Sequence, residues 1–203
     1  MGLGGKIALG CGGLLVLLLV VFGLGAVGSY NGLNSLSQAV DAQWGQVENV
    51  YQRRSDLVPN LVATVKGAAA FEKDTFQAVT EARAKVGQVS MGGKAPDSPE
   101  ALANFQKAQE GLGSALSRLL VVVEKYPDLK ATQNFRDLQA QLEGTENRIA
   151  VERMRFNQAA QAFNTKRNSF PTMLIAGFFG DRFRERIYFK AEPGAAVAPK
   201  VAF

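Results

Sequence analysis

The feature that most constrains this chain is an uninterrupted apolar run near its start, residues 7–27, with the sequence IALGCGGLLVLLLVVFGLGAV. Thirteen of these residues are large aliphatic or aromatic residues, and none is charged. As a helix the run is roughly 32 Å long, close to the ~30 Å hydrocarbon core of a bilayer. Together the thirteen side chains favour insertion by about 4–8 kcal/mol. The run therefore predicts a transmembrane helix.

Two alternatives to a permanent anchor stay open. Ala26 and Gly28 precede Ser29 in the small-residue pattern of a signal-peptide cleavage site, although the run is longer than the usual hydrophobic region of such a peptide. The only cysteine, Cys11, invites lipidation, but most of the apolar stretch follows it instead of preceding it. We expect a retained single-pass anchor in the inner membrane.

The charges that flank the run predict its orientation. Lys6 precedes it, and no lysine or arginine follows until Arg53. Under the positive-inside rule this bias places the N-terminus in the cytoplasm and the remaining domain outside the cell membrane.

The rest of the chain consists of long segments with helical periodicity. Apolar residues recur at three- and four-residue spacing over 33–51, 61–86, 105–126 and 133–169. We expect a kink or a turn at Pro59, and interruptions at the MGGKAPDSP loop, at Pro127 and at Pro171. No strand pattern occurs. The sequence predicts an all-α protein in which a transmembrane helix precedes an antiparallel bundle of long helices. Its predicted divisions are a flank (1–6), the span (7–27), the bundle domain (28–191) and a C-terminal tail (192–203).

The composition excludes several chemistries. Histidine is absent, and the single cysteine lies inside the span, so the usual general base, the usual zinc ligands and a thiolate nucleophile are missing from the domain. The net charge of +5 comes from interspersed basic and acidic residues. We therefore expect no enzymatic activity, no cofactor, no metal and no nucleic-acid partner. The best alternative is a membrane-tethered enzyme that uses the carboxylates of Glu143 and Glu146, which share a helix face.

Several blocks of the sequence resemble the LemA family. They are RRSDLVPNLV (53–62), TVKG (64–67), LSRLL (116–120) leading to YPDLKA (126–131), and GTENRIA (144–150), and the resemblance extends over about 30–191. It implies a bacterial, single-pass membrane protein with an α-helical domain, no established reaction, and a role in membrane organisation. The small external N-terminus described for this family opposes the orientation predicted from charge. Phe71 stands where the family tends to have histidine.

Charged residues in the matched blocks are the first candidate network. A charge inside a helical core must be paired, because an isolated one is very expensive to bury. We expect an interaction or structural network among Arg53, Arg54, Asp56, Asn60, Glu146, Asn147 and Arg148. The paired arginines also permit an anion site.

The C-terminal region has a different character, because aromatic and basic residues alternate in it. We expect a membrane-interface patch on anionic headgroups, formed by Arg182, Phe183, Arg184, Arg186, Tyr188 and Phe189. The alternative is a segment that closes one end of the bundle. A row of amides, Asn157, Gln161, Asn164 and Asn168, predicts either a solvated edge or a ladder of hydrogen bonds between helices.

These observations predict a non-catalytic interaction or membrane-organisation scaffold. Its expected partners are the lipid bilayer and other membrane or envelope proteins, with no small-molecule substrate. An anchor and a helical arm suffice for this role, since tethering raises the local concentration of a weakly bound partner.

Overall fold

The computed structural model describes residues 3–66, 73–89 and 92–190, with side chains from Gly12 onward. The expectations for Phe71 and for the tail 192–203 fall outside this range, as do those for the side chains of Lys6 and Cys11.

Most of the described residues are helical and none of them forms a strand, which confirms the predicted fold class. The helices are α1 (Leu3–Lys66), α2 (Lys73–Gln88), α3 (Pro99–Val123), α4 (Pro127–Lys130), α5 (Gln133–Asn168) and α6 (Thr172–Phe179), followed by a 3₁₀ turn (Gly180–Phe183). Ser98 caps α3, because its hydroxyl accepts a hydrogen bond from the amide of Ala101 at 3.1 Å.

The apolar run forms the first part of α1. Every large apolar side chain from Leu14 to Leu24 is at least 54% exposed, and the first buried side chain of the helix is Leu33. A core helix of a soluble protein would instead bury one apolar face. By length and composition, α1 is able to cross a membrane.

The prediction of a turn at Pro59 with a second helix after it was wrong, because α1 continues through this residue to Lys66. Proline lacks the amide hydrogen that would bond to the carbonyl oxygen four residues earlier, which belongs to Ser55. Nε of Arg83 in α2 donates a hydrogen bond to that oxygen at 3.2 Å. Since Ser55 is buried, this bond satisfies an acceptor that the proline leaves open. As a result Leu61 and Val65 belong to α1 and not to a second helix.

The contacts between residues divide the chain into two compact units. We call Val40–Ala160 with the residues from Ile187 onward the core unit, and the residues up to Ala39 with Gln161–Arg186 the anchor unit. The helices α1 and α5 each contribute residues to both units.

The core unit is held by an aliphatic cluster and an aromatic one. The aliphatic cluster includes Leu61, Val79, Leu112, Leu119 and Phe135, from α1, α2, α3 and α5. In the aromatic cluster the ring of Trp44, fully buried, lies 5.1 Å from that of Phe105, 5.4 Å from that of Phe156 and 5.9 Å from that of Phe189. Such ring pairs stabilise a core beyond the area that they bury.

Contact pairs give the helix directions within the core unit. Lys66 lies over the ring of Phe76, and Ser55 contacts Arg83, so α1 and α2 are antiparallel. The helices α1 and α5 are also antiparallel, because Trp44 contacts Phe156 and Arg54 contacts Glu146.

In the anchor unit, Tyr30 of α1 packs against two aromatic residues of the C-terminal region. Its ring lies 4.9 Å from that of Phe179 and 5.4 Å from that of Phe183. The helix α6 ends at Gly180, whose φ of +51° suits a residue without a side chain.

We predict that Arg83→Ala lowers the free energy of unfolding by about 1–3 kcal/mol, because it leaves the buried Ser55 carbonyl without a donor. In a Pro59→Ala background the alanine amide restores the helical hydrogen bond, so the same arginine substitution should cost about 1 kcal/mol less. Denaturant unfolding of the four proteins, followed by circular dichroism, measures both costs. Equal costs in the two backgrounds would show that Arg83 does not compensate for the proline.

Candidate functional site

The strongest polar cluster of the core unit is centred on Arg54, a residue of α1 that is only 4% exposed. Its Nη1 donates to Oε1 of Glu146 in α5 at 2.9 Å. Its Nη2 donates to the backbone oxygen of Gln109 in α3 at 2.9 Å and to Oε1 of the same residue at 2.6 Å. One guanidinium therefore links three helices through its fork of N–H groups.

Tyr51 lies one turn before Arg54 on the same face of α1. The Cζ atom of Arg54 is 5.1 Å from the centre of the Tyr51 ring, an arrangement that favours a cation–π interaction. Burial raises the pKa of Tyr51, although the charges of Arg153 and Arg54 and a hydrogen bond with Arg153 act in the opposite direction. The phenol is therefore neutral at physiological pH.

The cluster borders an open groove of about 940 Å³ on the core unit. Three arginines, Arg54, Arg118 and Arg153, and three glutamates, Glu110, Glu143 and Glu146, line this groove. Because the two charge types are equal in number, the groove has no excess charge with which to select an anion or a cation.

Both carboxylates on which the enzyme alternative depends already interact with other side chains of the protein. Glu146 pairs with Arg54, and Glu143 accepts a hydrogen bond from Nε2 of Gln139 at 3.0 Å. Over the described side chains, no group of three or more His, Cys, Asp or Glu residues is arranged to hold a metal ion.

The structure brings together only two members of the predicted network, Arg54 and Glu146. The others lie at the surface: Arg53, Asp56, Asn60, Asn147 and Arg148 are exposed, and Asp56 accepts a hydrogen bond from Gln52 of its own helix at 2.8 Å.

Sequence reasoning missed Tyr51, Gln109 and Arg153 as members of the cluster. Gln109 could have been identified from its position. It falls four residues after Phe105 and three before Leu112, where the apolar stripe of α3 would have a hydrophobic residue. An amide at such a position needs a hydrogen-bonding partner in the core. Tyr51 and Arg153 carry no comparable signal.

Two of the four amides in the row on α5 bind the backbone of the C-terminal segment. In the core unit, the Asn157 side chain accepts from the Phe189 amide at 2.8 Å and donates to its carbonyl at 2.9 Å. In the anchor unit, the Asn164 side chain makes the same pair of bonds with Arg186, at 2.8 and 2.7 Å. Gln161 and Asn168 are exposed.

The predicted membrane-interface residues divide by burial. Phe183 and Phe189 are buried, at 1% and 6% exposure, and Arg186 lies over the ring of Phe163, 5.5 Å from its centre. Arg182, Arg184 and Tyr188 are exposed. The two phenylalanines therefore contribute to packing within the protein, and the exposed residues form the outward face of the segment.

We predict that Arg54→Met lowers the free energy of unfolding by about 2–4 kcal/mol, because the Gln109 acceptors become buried without a donor and Glu146 loses its partner. The neighbouring Arg53→Met is the matched control and should cost less than about 0.5 kcal/mol, since Arg53 is exposed. Circular dichroism melts of both variants test this. Similar melting temperatures for the two would rule out Arg54 as a structural centre.

Comparison with known proteins identifies related sequences. The family model described as the LemA family matches residues 43–203. The chain is 28% identical over 180 residues to magnetosome protein MamQ 2 of Paramagnetospirillum magneticum, with 81% of this chain and 65% of the relative covered. It therefore spans less than two thirds of that relative.

Two further relatives are covered over more of their length. Magnetosome protein MamQ of Magnetospirillum gryphiswaldense is 27% identical over 194 residues, which cover 88% of this chain and 71% of the relative. Protein LemA of Metamycoplasma hominis is 23% identical over 161 residues, which cover 79% and 69%. Since the family model matches well over half of the sequence, this chain belongs to the LemA family.

Proposed function

We propose that this protein is a non-catalytic scaffold, anchored in the cell membrane by the first part of α1, that holds other membrane or envelope proteins close to the bilayer. The observation that carries this proposal is the exposed apolar run of α1, which continues in the same helix into residues of the core unit. Exposing an apolar surface of this size to water is unfavourable, whereas burying it in lipid is favourable.

The use of the polar groups supports a scaffold over an enzyme. Both terminal nitrogens of Arg54 are bonded within the protein, Glu146 accepts one of these bonds, and Tyr51 interacts with Arg153. Catalytic groups have to be available to a substrate. These residues instead serve the packing of the helices, so the enzyme alternative based on Glu143 and Glu146 has less support.

The relatives support the same direction. Two of the relatives that match most of this chain are named as proteins of the magnetosome, which is a cellular structure. We extend from them to this chain a role in organising a membrane-associated assembly. For orientation we propose a single pass through the inner membrane with the core unit outside the cytoplasm, on the basis of Lys6 and the absence of basic residues between the run and Arg53.

We predict that the full-length protein stays in the pellet when membranes are washed with sodium carbonate at alkaline pH. The double variant Leu17→Arg/Leu18→Arg should be extracted, because two arginines near mid-span cost about 5–7 kcal/mol, close to the whole gain of the run. The control Val121→Arg changes a valine of α3 that is 67% exposed, and it should stay in the pellet. Extraction of the unmodified protein would refute the anchor.

The scaffold itself is tested by chemical crosslinking in native membranes followed by mass spectrometry. We expect the same membrane or envelope proteins to be recovered with the unmodified chain in independent preparations, and to be lost with the arginine double variant. If the chain crosslinks to no protein reproducibly while it remains membrane-bound, the scaffold proposal is wrong even though the anchor stands.

A further inference from the structure

The short helix α6 packs within the anchor unit against the last turns of the apolar run. Pro171, Leu174 and Ile175 line one side of an apolar groove of about 170 Å³. The other side is formed by residues of α1, which are Val21, Phe22, Gly25, Ala26 and Ser29. The sequence TMLIAGFF is too short to span a bilayer, and this contact fixes its position relative to the anchor instead.

The contact sets the depth of α6. A helix rises ~1.5 Å per residue, so Phe22 lies about 7–8 Å inside the run from its last residue, Val27. If the run spans the hydrocarbon core, Leu174 and Ile175, which line the same groove as Phe22, lie within the same leaflet of that core and not in the water beyond it.

The outward face of this region is apolar. Phe170 is 79% exposed and Phe178 is 84% exposed, and Met173, Leu174 and Phe179 are between 42% and 53% exposed. This patch adjoins the exposed side chains of the apolar run, because Leu174 shares a groove with Val21 and Phe22. A patch of this kind marks an interaction site, and its neighbour on α1 indicates lipid as the occupant.

The charges after α6 fit headgroups at the expected height. Nη2 of Arg182 lies 3.4 Å from Oδ1 of Asn34, and Nη2 of Arg186 donates to Oγ of Ser37 at 2.7 Å. Asn34 and Ser37 lie about 10–15 Å beyond Val27 along α1, a few ångströms outside a headgroup layer about 5–8 Å thick. The exposed side chain of Arg182 is long enough to meet lipid phosphates from there. Arg184 follows two residues later, is also exposed, and pairs with Asp181 at 2.7 Å.

The backbone of α6 is also suited to an apolar medium. At its start the amide of Met173 donates to the carbonyl of Ser169 at 2.8 Å, and that of Leu174 donates to the carbonyl of Pro171 at 3.1 Å. At its end the amide of Gly180 bonds to the carbonyl of Gly177. Within a bilayer core, polar backbone groups have to be satisfied by the protein itself.

We propose that α6, together with Phe170, inserts into one leaflet beside α1, with its exposed apolar face against lipid acyl chains and with Arg182 and Arg184 at anionic headgroups. The protein then has two elements in the leaflet that holds the C-terminal end of the apolar run and one in the opposite leaflet. This proposal rests on the proposed function, because it requires that α1 is the membrane anchor.

Site-directed spin labelling of the full chain in vesicles of equal parts phosphatidylcholine and phosphatidylglycerol tests the insertion. Cys11→Ser removes the native thiol, and single cysteines replace Phe178, Leu17 or Val121. The readout is collision of the label with oxygen, which is enriched in lipid, relative to collision with a water-soluble nickel chelate. We expect a ratio at 178 several-fold higher than at 121 and close to that at 17.

The controls separate the two proposals. A lipid-like ratio at 17 with a ratio at 178 equal to that at 121 overturns the insertion of α6 and leaves the anchor intact. A water-like ratio at 17 overturns the anchor and the insertion with it. Low collision with both reagents at 178, with dipolar broadening between labels, shows that a second copy covers the patch and overturns lipid as its occupant.

A second label site guards against a local artefact of the substitution. Met173→Cys lies on the same helix and is also about half exposed, so it should give a lipid-like ratio as well. Circular dichroism of each labelled variant shows whether the helices are retained. A water-like ratio at both 173 and 178 in folded protein overturns the proposal.

Discussion

The core unit depends on the way in which one buried guanidinium is satisfied. Arg54 donates to α3 through both oxygens of Gln109 and to α5 through Glu146, and its charge is accessible to little water. Nη1 and Nη2 both have partners, whereas the buried Nε has none among the described residues. A buried charge is stable only when it is paired, so the three helices have to meet in the register that brings these partners together. The aromatic contacts of Trp44 then fill the neighbouring space.

The same principle explains why α1 is unbroken. Pro59 removes one backbone donor, and Arg83 supplies another from α2. In the two units, Asn157 and Asn164 likewise satisfy the backbone of the extended C-terminal segment. These three polar side chains and Arg54 complete hydrogen bonds that the fold requires. This structural role explains the presence of these polar residues without requiring a reaction. It agrees with the proposed role of organising other proteins at a membrane.

The sequence predicts the features that depend on local pattern and fails where a distant residue decides. The apolar run, the long helices and the cap at Ser98 follow from composition and periodicity. The prediction of a turn at Pro59 was wrong because the compensation for this proline comes from Arg83, 24 residues further along the chain. Periodicity does not determine the register between elements. That register decides the pairing of Arg54 with Glu146, the bonds of Arg54 to Gln109 and the packing of α6 against α1.

We infer that the Arg54 cluster is a structural network, and a double-mutant cycle on Arg54 and Glu146 measures whether the two residues stabilise the fold through each other. The free energy of unfolding is measured for the unmodified chain, Arg54→Met, Glu146→Gln and the double variant. Glu146 is about half exposed, which weakens the pair, so the account predicts a coupling energy of about 1 kcal/mol. Additive costs, with no coupling, would contradict it, because the two groups would then not stabilise the fold through each other.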